Sequence, residues 1–193
     1  DPTADIAAHK PVPPPPRRSS IRLWIEKERK NRRKDIVPPQ AKTAANYASP
    51  MVAKARARAQ GYDEIVLVDE LGCIAEGPTT NRLLVDARAA LVTPPTERVL
   101  LGVTRSAILE IAAREGLVVR EDRIRPDELV AAREVFLTGT TAGVLPVESV
   151  DGKPIGAGAP GPVASRLLER FQRVVSGRDD AFAHWLTYAN EGA

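Results

Sequence analysis

Apolar and polar residues follow regular spacings from residue 37 onwards, and these spacings predict a series of helices. Ser49 followed by Pro50 is typical of a helix start, and Gly61 is typical of a helix end. Thr104 can cap a further helix, in which apolar residues recur at positions i, i+3 and i+4. The predicted helices cover residues 49–60, 104–116, 127–132 and 161–175.

Short apolar runs between turn residues predict the strands. The three runs that follow the first helix have the pattern of an antiparallel meander. A later run looks buried and leads into the glycine-containing loop 139–143. Together with the helices, these runs predict a mixed α+β domain. The predicted strands cover residues 64–68, 82–85, 89–92, 117–120 and 134–138.

The N-terminal part of the chain lacks these regular spacings. Residues 1–20 are rich in proline and are expected to be extended and poorly ordered, so no fold is assigned to them. Residues 21–25 are a plausible short strand or anchor. The charged run 26–34 could contact a polyanion, but no aromatic residues interleave with it, which favours a solvated face. The chain therefore divides into an N-terminal segment, residues 1–36, and a domain, residues 37–193.

Composition and charge narrow the class of protein. The chain has 193 residues, of which 43% are hydrophobic and 27% charged, which is typical of one soluble globular domain. The single cysteine, Cys73, and two histidines, His9 and His184, make a disulfide or a Cys/His metal centre implausible. Apolar runs are too short to cross a bilayer and no signal peptide precedes them, so a cytoplasmic location is expected.

Two segments carry groups suited to chemistry on a heterocycle. Lys42 is flanked by small residues, so it could be packed closely and desolvated, which lowers a lysine pKa and makes the amine a usable nucleophile. Glu76 precedes a turn of small residues, where its carboxylate could hold a protonated ring nitrogen while Gly77 lets a flat ring approach. Taken singly, the ordinary interpretations, a surface lysine and a polar hairpin turn, are favoured for these two segments.

Two further segments are candidate anion sites. Residues 100–105 lie at a predicted helix N-terminus, where free N–H groups and the helix dipole favour a phosphate. Residues 139–142 form a loop after a strand, and their hydroxyls add donors. An ordinary cap and an ordinary turn are the alternatives for each segment by itself.

The four segments together resemble the cofactor-binding large domain of the class IV, or fold type IV, aminotransferases, most closely the branched-chain amino acid aminotransferases. In that family one site is lined by a Lys-x-x-x-Asn-Tyr segment, a Glu-Gly-x-x-x-Asn segment, a Gly-(Ile/Val)-Thr-Arg segment and a Gly-Thr loop. All four occur here in that order, from about residue 38 to the end. The resemblance implies the D-amino acid aminotransferase-like α+β fold, with a mixed sheet and packed helices.

The resemblance also implies an activity and a cofactor. The expected reaction is transamination of branched-chain or similar hydrophobic amino acids with 2-oxoglutarate, using pyridoxal 5'-phosphate. Lys42 would form the Schiff base and then move a proton between substrate and cofactor. Tyr47 would bind the ring hydroxyl, Glu76 would pair with the ring nitrogen, and Leu100 would pack on the ring face.

The remaining transferred roles concern the phosphate and the partners. Val103 and Thr104 would bind the phosphate by backbone N–H groups, and Thr104 and Thr140 would bind it by hydroxyls. The Thr141 amide would face that phosphate or the substrate carboxylate. Amino acid and 2-oxo acid substrates and a homodimer are the partners that the family implies, with no membrane and no nucleic acid.

Two departures from the family and two alternatives stay open. The family has a smaller domain before the lysine, and residues 1–41 are too short and proline-rich to be it, so the front segment is expected to be a remnant or linker. Arg82 stands where the family has an apolar strand residue. D-amino acid aminotransferases and aminodeoxychorismate lyases share the lysine, the glutamate and the phosphate loops, but Tyr47 and the loop 139–142 favour the branched-chain type. A non-catalytic domain that keeps only the fold is the alternative from another class.

Overall fold

A computed structural model of the chain describes residues 19–30 and 36–187. Residues 1–18 of the proline-rich stretch and residues 31–35 of the charged run lie outside the described residues, so the expectations for them are not addressed. Within the described ranges, no helix is long and apolar enough to span a membrane.

The described part of the chain forms a mixed sheet with helices packed on it. Its eight strands are β1 (Ile21–Lys30), β2 (Glu64–Val68), β3 (Asn81–Val85), β4 (Leu91–Thr93), β5 (Val119–Glu121), β6 (Glu134–Gly139), β7 (Gly143–Val150) and β8 (Lys153–Pro154). Its α-helices are α1 (Ala44–Ala48), α2 (Met51–Ala59), α3 (Val103–Arg114), α4 (Pro126–Val130) and α5 (Pro162–Val175). Short 3-10 helices cover Thr96–Arg98 and Asp180–Trp185. The α+β expectation is confirmed.

The strand order is β2-β1-β7-β6-β3-β4-β5, with β8 paired to β7. Parallel pairing joins β1 to both β2 and β7, whereas β3, β6 and β7 pair antiparallel. The backbone of Ala75 and Glu76 also bonds to Leu67 of β2. The segment before β3 thus returns to the far edge of the sheet, which is therefore curled.

Three apolar clusters cover the faces of this curled sheet, the smallest of which packs α2 on β2. The inner core contains residues of β1, β2, β6 and β7 and is closed by Leu129 of α4. The outer core packs Leu83, Val85 and Phe136 against α3 and α5. Strand β6 serves both cores, since Val135 and Leu137 face one and Phe136 the other. Burial on both faces explains its continuous apolar sequence.

Strand β1 lies before the expected domain boundary at residue 37, yet it is an inner strand of the sheet. Leu23 pairs with Glu64 of β2 on one side and with Val150 of β7 on the other. Ile21, Leu23 and Ile25 alternate into the inner core. The short strand proposed for residues 21–25 is therefore present, and it continues to Lys30 because the charged run after Ile25 extends the strand.

Three local predictions differ from the structure. Pro50 is the N-cap of α2, because Ser49 ends the preceding helix α1 instead of capping α2. Gly102, not Thr104, is the N-cap of α3. The predicted meander is wrong for β2, which pairs with β1 and not with β3. The sequence could not predict which strands pair, because pairing depends on contacts between distant parts of the chain.

Candidate active site

Seven of the eight site residues predicted from the sequence meet in one pocket, called here the inner pocket. Its volume is about 210 Å³. It lies where the segments before α1, β3 and α3 converge on the end of β6. The predicted residues that line it are Lys42, Tyr47, Glu76, Leu100, Val103, Thr104 and Thr140.

The eighth predicted residue, Thr141, lines a wider and more open space beside the inner pocket, called here the outer groove. Its volume is about 960 Å³, within the size range of small-molecule sites, which is roughly 300–1,000 Å³. Lys42, Tyr47 and Thr140 belong to both spaces. The inner pocket therefore opens into the outer groove at the lysine.

Glu76 forms one end of the inner pocket and is held by a set of hydrogen bonds. Its side chain is buried, at 2% exposure. The Leu100 N–H donates to Oε1 at 2.9 Å, and Asn81 Nδ2 donates to Oε2 at 3.0 Å. These two donors fix both carboxylate oxygens at this end of the pocket.

The N-terminus of α3 forms another wall. Val103 and Thr104 are in its first turn, where backbone N–H groups lack partners within the helix. The N-cap residue is Gly102, and no side chain of the described residues caps the helix there. A Cβ on Gly102 would lie 2.1 Å from Asn81 Oδ1, so the close packing of this turn on Asn81 requires glycine. The helix is twelve residues long, and its dipole favours an anion at this wall.

The end of β6 adds hydroxyl groups. Thr138, on the same strand face as Phe136, is fully buried and lines the inner pocket. Its Oγ1 has no hydrogen-bond partner among the described residues. Thr140 follows at the turn between β6 and β7 and is exposed. The pocket therefore contains a buried hydroxyl that lacks a partner, which is uncommon in folded proteins.

Lys42 and Tyr47 lie on the open side of the pocket. The turn that carries Lys42 is fixed by Asn46 Nδ2, which donates to the Ala41 carbonyl at 2.9 Å. Tyr47 is half-buried, but Lys42 is exposed. The sequence-based expectation of a closely packed, desolvated amine is therefore not met by the described residues. Small neighbours permit burial, but they cannot themselves cover a long side chain.

Sequence reasoning missed three residues that build the site. Asn81 belongs to a recognised motif, but the sequence did not predict that its amide donates to both Glu76 and the Leu100 carbonyl. Gly102 was seen only as part of a phosphate segment. Thr138 lies in a strand whose apolar pattern gave no sign of a pocket. The spacing of Asn81 from Glu76 was the one signal that could have indicated its role.

Taken together, the inner pocket offers an amine, a buried carboxylate, a free helix N-terminus and hydroxyl groups around one small space. Such a set can bind a molecule that carries an anionic group, a basic ring atom and a carbonyl reactive towards amines. The described residues thus suit a phosphorylated heterocycle.

A sequence profile of the family described as amino-transferase class IV matches residues 1–150. The chain is 37% identical to a probable branched-chain-amino-acid aminotransferase of Aquifex aeolicus over 168 residues, covering 86% of this chain and 54% of the relative. It is 39% identical to the branched-chain-amino-acid aminotransferase of Pseudomonas aeruginosa over 153 residues, covering 79% and 50%. The chain thus spans about half the length of these curated relatives.

Solved structures show the same fold. A branched-chain amino acid aminotransferase of T.th., crystallised with pyridoxamine 5'-phosphate, superposes with a TM-score of 0.84 at 38% identity, covering 90% of this chain and 56% of the other. The holo-form enzyme of Thermobaculum terrenum gives 0.83 at 32% identity, covering 87% and 55%. With the profile match, the sequence identities and this fold in agreement, the chain belongs to the class IV aminotransferase family.

Proposed function

We propose that the protein is a pyridoxal-phosphate-dependent aminotransferase of branched-chain or similar hydrophobic amino acids, with 2-oxoglutarate as the amino acceptor. The observation that carries the proposal is the inner pocket, in which Lys42, Glu76 and the N-terminus of α3 share one space. The relatives named as branched-chain aminotransferases support the substrate class. D-amino acid aminotransferase and aminodeoxychorismate lyase activities are the alternatives within the family.

The residues present fit this cofactor. A phosphate ester requires donors, which the first turn of α3 and the hydroxyls of Thr104 and Thr140 offer. A protonated ring nitrogen requires an anion, which Glu76 offers. The buried Thr138 hydroxyl, without a partner among the described residues, would gain one from a polar ligand in the pocket.

Pyridoxal phosphate, when bound, supplies an electron sink for charge that develops on the substrate carbon. Glu76 would keep the ring nitrogen protonated by its negative charge. Asn81 holds Glu76 through an amide, which does not titrate and so does not compete for that proton. The Lys42 amine would hold the cofactor covalently and, once released, would accept and return the proton of the substrate carbon.

The open side of the pocket is where the substrate would enter. The outer groove meets the inner pocket at Lys42 and Thr140, and Thr141 lies along the groove. A substrate carboxylate placed against residues 140–141 would set its reacting carbon beside the lysine. Leu100 would limit tilting of the ring from the side of α3, because its half-buried side chain lines the pocket.

A homodimer and a cytoplasmic location complete the proposal. Leu101 and Val103, at the rim of the inner pocket, are 51% and 85% exposed. Exposed apolar residues beside a site are typical of surfaces that bind a partner, and symmetric dimers are the commonest assemblies of identical chains. Sedimentation at high protein concentration tests this, and a strictly monomeric mass would contradict the dimer.

The central test is covalent trapping. The full chain is incubated with pyridoxal phosphate, reduced with borohydride and digested, and the labelled peptide is identified by mass spectrometry. We expect the label at Lys42 and a visible absorbance that Lys42→Ala abolishes. Lys54→Ala is the matched control, because Lys54 is bonded to Glu64 at 2.6 Å and does not line the pocket.

Two results would overturn the proposal. Label at another lysine, or none at all in the wild type under saturating cofactor, would favour a non-catalytic domain that keeps only the fold. With the remaining half of a relative added, faster transfer from D-alanine than from L-leucine to 2-oxoglutarate would move the protein to the D-amino acid branch of the family.

A further inference from the structure

Arg82 is a fully buried cation beneath the segment that carries Glu76. It is 0% exposed, and its side chain extends from the same face of β3 as Leu84, which belongs to the inner core. Positions of this kind are ordinarily apolar. Since a buried charge without partners is strongly unfavourable, its surroundings must stabilise it.

Two hydrogen bonds hold the guanidinium group. Its Nη1 donates to Thr80 Oγ1 at 2.9 Å, and its Nη2 donates to the Ile65 carbonyl at 2.6 Å. A Cβ on Gly77 would lie 2.6 Å from Nη2, so the guanidinium lies directly against that glycine. The Gly77 N–H in turn bonds to the Thr80 carbonyl at 2.8 Å. Arg82 therefore supports the turn 77–80 from within the sheet.

This turn contacts the loop that carries Thr140. Thr80 lines both the inner pocket and the outer groove. A Cβ on Gly139 would lie 3.3 Å from Thr80 Cγ2, so the two residues are in close contact. A chain of contacts thus leads from the Arg82 guanidinium through Thr80 to the residue before Thr140.

The charge of Arg82 also acts on the site. Burial lowers the pKa of Arg82 to about 10, while the charges of Glu64 and Glu76 act in the opposite direction. The side chain is thus a cation near neutral pH. Glu64 has Lys54 as a further cation at 2.6 Å. The Arg82 guanidinium lies against Gly77, the residue that follows Glu76, and the attraction between two charges is mutual.

We propose that Arg82 is a positioning residue of the site, which holds Thr80 against Gly139 and supplies the buried positive charge that favours the carboxylate form of Glu76. This inference rests on the proposed function, in which an ionised Glu76 holds the protonated ring nitrogen. Among the described residues, the titratable side chains that line the inner pocket with Glu76 are Lys42 and Tyr47, and the N-terminus of α3 adds its dipole. Glu64 of β2 is a further charge that acts on Arg82.

The test follows the Glu76 carboxyl itself. In the full chain without cofactor, carbon-13 NMR of labelled glutamate records the pH midpoint of Glu76 in the wild type, Arg82→Gln and Arg82→Lys. Gln keeps hydrogen-bond donors but lacks the charge, so its midpoint is expected to rise by about one pH unit, a tenfold change in proton affinity. Lys keeps the charge, so its midpoint is expected to stay near that of the wild type.

Arg170→Met is the matched control, because Arg170 bonds to Asp179 at 3.1 Å and lines neither the inner pocket nor the outer groove. Its Glu76 midpoint should not move. An unchanged midpoint in folded Arg82→Gln overturns the proposal. If Arg82→Gln does not fold, Arg82→Leu takes its place, because an apolar side chain suits this buried strand position. A Glu76 midpoint higher in Arg82→Leu than in Arg82→Lys supports the proposal, and equal midpoints overturn it.

Failure of this inference differs from failure of the proposed function. The NMR titration needs no cofactor and no turnover, whereas the proposed function is tested by trapping pyridoxal phosphate on wild-type Lys42 and by comparing amino donors. The absorbance of the bound cofactor is a second readout, which depends on both the inference and the proposed function. With cofactor bound, the pH at which the visible absorbance changes should shift in Arg82→Gln and remain in Arg170→Met.

Discussion

Glu76 is joined to the Leu100 backbone directly at its N–H and through Asn81 at its carbonyl, although 24 positions separate Glu76 from Leu100. The Leu100 N–H donates to Glu76 Oε1 at 2.9 Å. Asn81 Nδ2 donates to Glu76 Oε2 at 3.0 Å and to the Leu100 carbonyl at 2.9 Å. The Glu76 carboxylate therefore keeps a fixed distance from the N-terminus of α3. A cofactor that places its ring nitrogen at Glu76 and its phosphate at α3 must match that distance.

The first prediction concerns Asn81→Ala. The substitution removes the donor shared by Glu76 and Leu100, both of which are then short of a hydrogen bond in a buried setting. We expect the free energy of unfolding to fall by about 1–3 kcal/mol, and pyridoxal phosphate binding to weaken. Urea denaturation and a cofactor titration measure the two effects. Gln60→Ala, at an exposed position after α2, is the control, and equal effects of both variants would contradict the bridging role.

The second prediction concerns Thr138→Val, which removes a buried hydroxyl while keeping the shape of the side chain. Because Oγ1 has no partner among the described residues, the unfolding free energy without cofactor should stay the same or rise. Affinity for pyridoxal phosphate should fall if the cofactor uses this hydroxyl.

The matched control for Thr138→Val is Thr93→Val, at a second fully buried threonine. The Thr93 hydroxyl donates to the Arg82 carbonyl at 2.9 Å and accepts from Arg105 Nε at 3.2 Å. Its loss should lower stability by about 1–3 kcal/mol. Cofactor-free stability that drops equally in both variants would show that Thr138 has a partner within the protein.

The third prediction concerns the pH dependence of stability through Glu121. Burial raises the pKa of Glu121, but bonds from Thr96 and Arg105 outweigh it, so the pKa is lowered overall. A lowered pKa in the folded state contributes stability above the unfolded-state pKa, and that stability is lost as pH falls through the folded-state pKa. Glu121→Gln should therefore be less stable than the wild type at pH 7, and the difference should shrink in strong acid.

Urea denaturation at pH 7 and at acid pH measures this difference. Glu169→Gln, which alters an exposed carboxylate on α5, serves as the control. A stability difference for Glu121→Gln that stays constant across this pH range would show that the bonds of Glu121 do not depend on its charge.

The fourth prediction concerns the 193 residues by themselves. Lys42 is exposed and the pocket is open on the lysine side, while much of the rate of such a reaction comes from holding the substrate, on the order of 7–11 kcal/mol. We expect weak pyridoxal phosphate binding and little or no transamination of branched-chain amino acids by this chain alone. Adding the remaining half of a relative, in trans or on one chain, should restore both. Rapid turnover by the chain alone would contradict the prediction.

The sequence by itself was sufficient for the local features of the site. Lys42, Glu76 and the first turn of α3 are each marked by neighbouring residues, and their motifs appear in the family order. Helix α5 was also predicted within one residue, since its start at Gly161 and end near Gly177 are local signals. Such features depend on residues a few positions apart, which a linear pattern records.

Only the tertiary structure decided how these segments meet. Strand β1 enters the sheet between β2 and β7, a position that the local pattern of residues 21–25 could not indicate. Asn81 bridges Glu76 and Leu100, and Arg82 reaches across the curled sheet to Ile65. The physical reason is that strand order, buried hydrogen bonds and the covering of a side chain depend on free energies of contact between distant residues. The spacing of apolar and polar positions along the chain does not specify those contacts, because they form only when the sheet brings distant segments together.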